Sequence, residues 1–93
     1  MKFIHSSNKI SLFDSGRRLL AEVTFPDIDD NTVDINHTFV DDSLRGQGIA
    51  GQLMYEAAIK LRREHKKAVL SCSYASAWFH KHREEFADVL KED

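Results

Sequence analysis

The chain has one cysteine, Cys72, and one proline, Pro26. A lone thiol excludes an intramolecular disulfide and any zinc site built on several cysteines. It fits a reducing compartment better than secretion, so a cytoplasmic protein is expected. Long apolar runs are missing as well. No stretch approaches the roughly 20 residues of a membrane helix, and "MKFIHSSNKI" lacks the apolar segment of a secretory leader. Neither sign of charge dominates: 13 basic against 15 acidic side chains leave a net charge of −2, so the overall balance does not point to nucleic acid. Repeats, low-complexity segments and linkers are absent, and 93 residues suffice for one domain, 1–93, with one modest core. Glycine is scarce and unevenly placed. Three of the four copies, Gly46, Gly48 and Gly51, fall within "LRGQGIAGQL", where a helix should begin.

The character of the chain changes near residue 40. Before it the pattern is β-like. "KISLFD" alternates, with Ile10 and Leu12 on one face, and "LLAEVTF" alternates with Leu19, Ala21, Val23 and Phe25 on one face. The "DSG" between them is turn chemistry, with Gly16 expected to take the positive φ. "PDIDDN" reads as a polar turn. "TVDINHTF" then alternates strictly and predicts one strand, with Val33, Ile35, His37 and Phe39 facing one way. A short strand at "KFI" is a further candidate.

After "VDDSLRGQG" the period changes to that of a helix. Ile49, Ala50, Leu53, Met54, Ala57, Ala58 and Leu61 form one apolar stripe, and the helix should end near His65 or Lys66 with basic residues in its last turn. "KAVLSCS" predicts a short buried strand. "SAWFHKHREEFADVL" predicts one or two helices anchored by Trp78, Phe79, Phe86 and Leu90, and 84–93 an acidic surface and tail. The fold class is therefore α+β with a mixed sheet: antiparallel N-terminal strands, a central crossover helix, a strand parallel to "TVDINHTF", and C-terminal helix or helices.

A strand, a glycine loop and a helix start make an anion site. The first N–H groups of a helix lack intrahelical partners, the dipole adds partial positive charge, and glycine lets a phosphate approach the backbone. Arg45 adds a cation. A nucleotide P-loop is excluded, because no Lys-Ser or Lys-Thr follows "RGQGIA". The spacing of Gly46, Gly48 and Gly51 does match G-x-G-x-x-G. The strands before it are antiparallel, however, and no acidic residue ends a second parallel strand about 20 residues on, which argues against a dinucleotide site.

Arg45-x-x-Gly48-x-Ala50 resembles the acyl-CoA signature of GNAT-type N-acetyltransferases, [Arg/Gln]-x-x-Gly-x-[Gly/Ala]. Over roughly residues 8–91 the chain resembles the compact members of that family, which share an "HT.V....RG.GIA" segment and a later "C.Y" segment. The resemblance implies a short GNAT-like fold that splays the strand ending at Phe39 and Val40 from the strand at 68–73. It implies acetyl-CoA as acetyl donor, with the pantetheine arm on strand backbone and the pyrophosphate on the N–H groups of Arg45, Gly46, Gln47, Gly48, Ile49 and Ala50. An unidentified amine is the implied acceptor.

Acetyl transfer needs a free amine, oxyanion stabilisation and a proton for the departing thiolate. In ordinary members a tyrosine on the helix after the second splayed strand often supplies that proton. The matching stretch here, "SAWFHKH", has none, with Trp78 and Phe79 in its place. The resemblance points instead to Cys72 as a candidate acetyl acceptor, which would split transfer into two steps; a buried structural thiol is the alternative. Tyr74, two residues on, is a candidate proton donor or wall of the pocket. His37 is a candidate base if it reaches Cys72, and otherwise a hydrogen-bonded core histidine. His80 and His82 lie about 200° apart around a helix and cannot share a metal ion, so no metal is expected. Longer family members carry a helical pair after the first strand that shapes the acceptor pocket, and this chain has only a tight turn there. An acyl-CoA-binding module that acts through a protein partner without catalysis is the competing reading.

Overall fold

The computed structural model describes residues 2–91. Strands β1 (Ile4–Ser6), β2 (Lys9–Phe13) and β3 (Leu19–Thr24) form an antiparallel meander. Asp14 shapes the β2–β3 turn, its Oδ1 accepting the N–H groups of Gly16 at 2.8 Å and Arg18 at 2.9 Å. The left-handed residue of that turn is Arg17 (φ 67°) and not Gly16, so the positive φ falls one residue later than the sequence suggests. The "PDIDDN" segment is more than a turn. It carries β4 (Asp27–Asp29), paired antiparallel with β5 (Thr32–Ile35).

"TVDINHTF" is not one strand. It divides at Asn36 into β5 and β6 (His37–Val40), which belong to different sheets, ordered β1-β2-β3-β6 and β4-β5-β7. The hairpin passes through the break, because Asp34 N–H donates to Pro26 O at 2.9 Å and Asn36 N–H to Thr24 O at 3.2 Å. The register changes across it. Asp27 pairs with Val33 and Thr24 with His37, so three steps on one strand face four on the other. One extra residue is a β-bulge, and a one-residue slip turns every later side chain to the other face. Val33 and Ile35 point into the core, but beyond Asn36 the inward positions are Thr38 and Val40, opposite Val23 and Ala21. His37 and Phe39 face out and are exposed.

Helix α1 (Ile49–Arg63) buries the expected stripe: Ile49, Leu53, Met54, Ala57, Ala58 and Leu61 are all buried, with Ala50 partly so. Lys60, Arg62 and Arg63 occupy its last turn, where they oppose the negative end of the dipole. His65 (φ 58°) turns the chain into β7 (Lys67–Leu70), which runs parallel to β5. Helix α2 (Ser73–Lys81) follows, then the short α3 (Arg83–Phe86) and a 3-10 turn, Ala87–Val89. Phe86 and Val89 lie in the core with Phe79, so 84–89 is an anchoring segment as well as an acidic surface. Lys91 N–H donates to Ala68 O at 2.9 Å, which covers the free edge of β7; the last two residues of the expected acidic tail lie outside the described residues. Arg62 grips Asp88 through Nε and Nη2, both at 2.7 Å, and stacks on Phe86 at 5.0 Å. No helix among the described residues is long and apolar enough to cross a membrane.

Candidate functional site

The bulge at Asn36 opens the site. Strand β5 stays paired with β7, while β6 turns away to pair with β3. The last rung between the diverging strands is Cys72 N–H to Ile35 O, 3.0 Å. Beyond it lies a cleft of about 670 Å³, walled by Thr38, Phe39 and Val40 of β6, the loop from Asp41 to Gly48, the start of α1, and Tyr74 of α2.

The glycine loop is held open by its backbone. Asp41 caps a 3-10 turn, Asp42–Leu44, by accepting from the N–H and hydroxyl of Ser43 at 3.0 and 2.6 Å. Gly46 (φ 81°) and Gly48 (φ 73°) then both take the left-handed conformation, which L side chains adopt at a cost of about 1–2 kcal/mol. Gly48 is the N-cap of α1 and offers no side-chain cap. The N–H groups of Arg45 and Gln47 donate to Asp42 O and Leu44 O. Those of Gly46, Gly48, Ile49 and Ala50 meet no acceptor among the described residues, and they are the ones open to an anion. Arg45 extends beside them with Nε 2.7 Å from Asp42 Oδ1. Gly51 serves a different end. A Cβ on it would lie 3.3 Å from Trp78 Nε1 and 3.8 Å from the Tyr74 hydroxyl, so its bareness lets α2 approach α1.

Cys72 does not itself line the cleft but lies against the wall residue Thr38; it is half-buried, the N-cap of α2 and not the end of a strand. Its Sγ lies 3.5 Å from Thr38 Oγ1. Burial pushes the thiol pKa up, and this is the largest single influence. The Thr38 hydroxyl and the amides of Ala75, Tyr74 and Thr38 together outweigh it, so the pKa falls below the ordinary thiol value. The folded thiol thus ionises at lower pH than the unfolded one. Its ionisation adds stability above the unfolded value, and that gain is lost as pH falls through the folded value. We expect iodoacetamide to alkylate Cys72 with a pH midpoint below about 8.5; a midpoint at or above that value would mean the helix amides do not reach the sulfur.

The other candidates divide. Tyr74 sits in the first turn of α2, 41% exposed, on the wall of the cleft, and burial raises its phenol pKa, which keeps it protonated at neutral pH. The helix after the parallel strand therefore does carry a tyrosine, because it begins at Ser73, ahead of "SAWFHKH". Trp78 stacks on His82, with centroids 3.9 Å apart, and Phe79 is fully buried; both are packing residues. His37 is exposed on the outer side of β6, and Thr38 takes the position against the thiol. Alternation in the sequence assigns Thr38 to the other face, so the bulge had hidden it. Among the described residues no three His, Cys, Asp or Glu side chains are grouped to hold a metal.

Known structures place this arrangement. A GCN5-like putative N-acetyltransferase from Staphylococcus aureus, solved in solution, is 30% identical with a TM-score of 0.80, over 99% of this chain and 89% of that one. A GNAT family N-acetyltransferase from Escherichia coli in complex with CoA is 28% identical with a TM-score of 0.59. That match covers 67% of this chain, and 38% of the E. coli chain. No curated protein matches closely enough to count as a relative. Residues 9–89 match the profile of GCN5-related N-acetyl-transferases, and the chain belongs to that family.

Proposed function

We propose that the cleft binds acetyl-CoA as acetyl donor and that the protein transfers the acetyl group to an amine by way of Cys72, in the cytoplasm. The observation that carries this reading is the junction of two features: unpartnered amides of Gly46 and Gly48 to Ala50 on the cleft, and a thiol with a lowered pKa against Thr38 of its wall. The amides suit a pyrophosphate. Phe39 and Val40, on the β6 edge left unpaired by the splay, suit the pantetheine arm, which can add to that edge as a strand does. The CoA-bound E. coli neighbour supports the same ligand.

In this reading the Cys72 thiolate attacks the thioester carbonyl, and the Thr38 hydroxyl or an α2 amide stabilises the oxyanion. The carbon–sulfur bond to CoA breaks, and the departing thiolate takes a proton from the Tyr74 phenol. An unprotonated amine then attacks acetyl-Cys72, the new thioester bond breaks, and the amide leaves with Cys72 returned as thiolate. The amine's proton goes back to the Tyr74 phenolate. His37, on the outer face, stands where only an acceptor approaching from that side meets it.

Titration with acetyl-CoA followed by intact mass tests both parts. Saturable binding and an adduct of about 42 Da, lost in Cys72→Ala with binding retained, is the expected result. Binding without an adduct removes the cysteine step and leaves an acyl-CoA-binding module, whose protein partner pull-down would then seek. Absence of binding removes the reading altogether. The Asp42 carboxylate should oppose the phosphate, since it holds Arg45 at 2.7 Å. We expect Asp42→Asn to tighten CoA binding about threefold, the scale of an exposed ion pair; weaker binding would mean that Asp42 shapes the loop and does not compete for Arg45.

A further inference from the structure

Asp34 has no part in the chemistry above, yet its contacts converge on the residue next to Cys72. It lies on β5 between the core residues Val33 and Ile35, with its side chain on the opposite face of the sheet, partly buried. An aspartate is a poor strand former, so its place in "TVDI" calls for a compensating contact. That contact is Ser71. Asp34 Oδ1 accepts the Ser71 N–H at 3.1 Å, and Oδ2 accepts the Ser71 hydroxyl at 2.6 Å, both strengthened by the carboxylate charge.

Ser71 and Cys72 are the whole link between β7 and α2. The link is tied three times, twice to β5 and once to β6, by residues on both sides of the bulge. Asp34 holds Ser71 on one face. Ile35 O accepts the Cys72 N–H in the plane of the sheet. Thr38 meets the Cys72 sulfur. Ser71 is held on the Asp34 side of the link while Cys72 meets Thr38, so the outer tie opposes rotation of the link. Without the outer tie the link can rotate, and the sulfur loses Thr38 and the first-turn amides of α2 together.

We propose that Asp34 is a positioning residue: through Ser71 it fixes the Cys72 thiol against Thr38 of the cleft wall. This rests on the reading that Cys72 carries the acetyl group. The titratable or charged groups around the link are Asp34 on β5, His37 on β6, exposed on the outer face, and Tyr74 on α2. The first turn of α1, Ile49 to Gly51, brings no charge.

The test is the pH dependence of Cys72 alkylation by iodoacetamide in the full chain, for wild type, Asp34→Ala, Ser71→Ala and Ser71→Thr, with a urea melt of each. Asp34→Ala and Ser71→Ala should move the midpoint upward, toward the ordinary thiol value, and slow alkylation at pH 7 about threefold or more. Ser71→Thr keeps the hydroxyl and should restore the wild-type profile. A downward shift in Asp34→Ala would make Asp34 merely a nearby negative charge and overturn the proposal. An unchanged midpoint with lowered stability would make the tie structural only, and overturn it equally. Should Asp34→Ala fail to fold, the Ser71→Ala and Ser71→Thr pair decides alone, since it alters only an exposed side chain. The readout needs no coenzyme, so failure of acetyl-CoA to bind the wild type would sink the proposed function without disturbing this result.

Discussion

Replacing Gly48 by asparagine is expected to weaken CoA binding by about 10- to 100-fold while leaving the melting temperature nearly unchanged. Gly48 has φ 73°, and asparagine is among the few L residues that visit this region routinely. The added side chain meets no protein atom within 4 Å of its Cβ, so folding tolerates it. It does enter the space through which a phosphate must reach the amides of Gly48, Ile49 and Ala50. Loss of one charge-assisted hydrogen bond costs about 1.5–3 kcal/mol, which gives the stated range. Valine at the same position should fail differently, because a β-branched residue at this φ is strained, with a cost of about 1–3 kcal/mol in stability. Calorimetric titration beside a thermal melt separates the two. Unchanged CoA affinity in Gly48→Asn would remove the loop from the phosphate site.

Phe79→Ala should cost about 3–5 kcal/mol of folding stability. Phe79 is fully buried in α2, with its ring 5.0 Å from Trp78 and 6.3 Å from Phe86, both edge-on. A domain of this size is stable by only about 5–15 kcal/mol, so one ring accounts for a large share. Urea unfolding measures it, and Phe13→Ala is the control. Phe13, on β2, is 43% exposed, and its truncation should cost about 1 kcal/mol or less. A loss below about 1 kcal/mol for Phe79→Ala would mean that α2 does not close the core. The consequence reaches the site, because α2 carries Tyr74 and supplies the amides over Cys72.

Helix α1 and the glycine loop were legible in the sequence because both are local. A helix reports itself through a 3.6-residue period, and the stripe from Ile49 to Leu61 is buried apart from Ala50, which is partly so. A left-handed backbone reports itself through glycine, and Gly46 and Gly48 take it. Even there only part of the reading was available. Which loop amides stay open depends on Arg45 and Gln47 closing a 3-10 turn, and Gly51 belongs to helix packing, which no loop motif records.

The candidate catalytic residues were the least legible, for one identifiable reason. The alternation of "TVDINHTF" is unbroken, and nothing within it announces a bulge. The slip arises from pairing with a strand that turns at Pro26, across a hairpin whose two halves differ by one residue in register. That single residue exchanged His37 for Thr38 beside Cys72, although Thr38 and Cys72 are 34 residues apart. In the same way, Tyr74 falls within α2 only because Cys72 as N-cap sets the start of that helix. By itself the sequence determined the elements whose causes lie within one or two turns of chain: the helix period and the left-handed glycines of the loop. The tertiary structure decided what stands opposite what, because register is set by partner strands and a single slip reverses every face that follows.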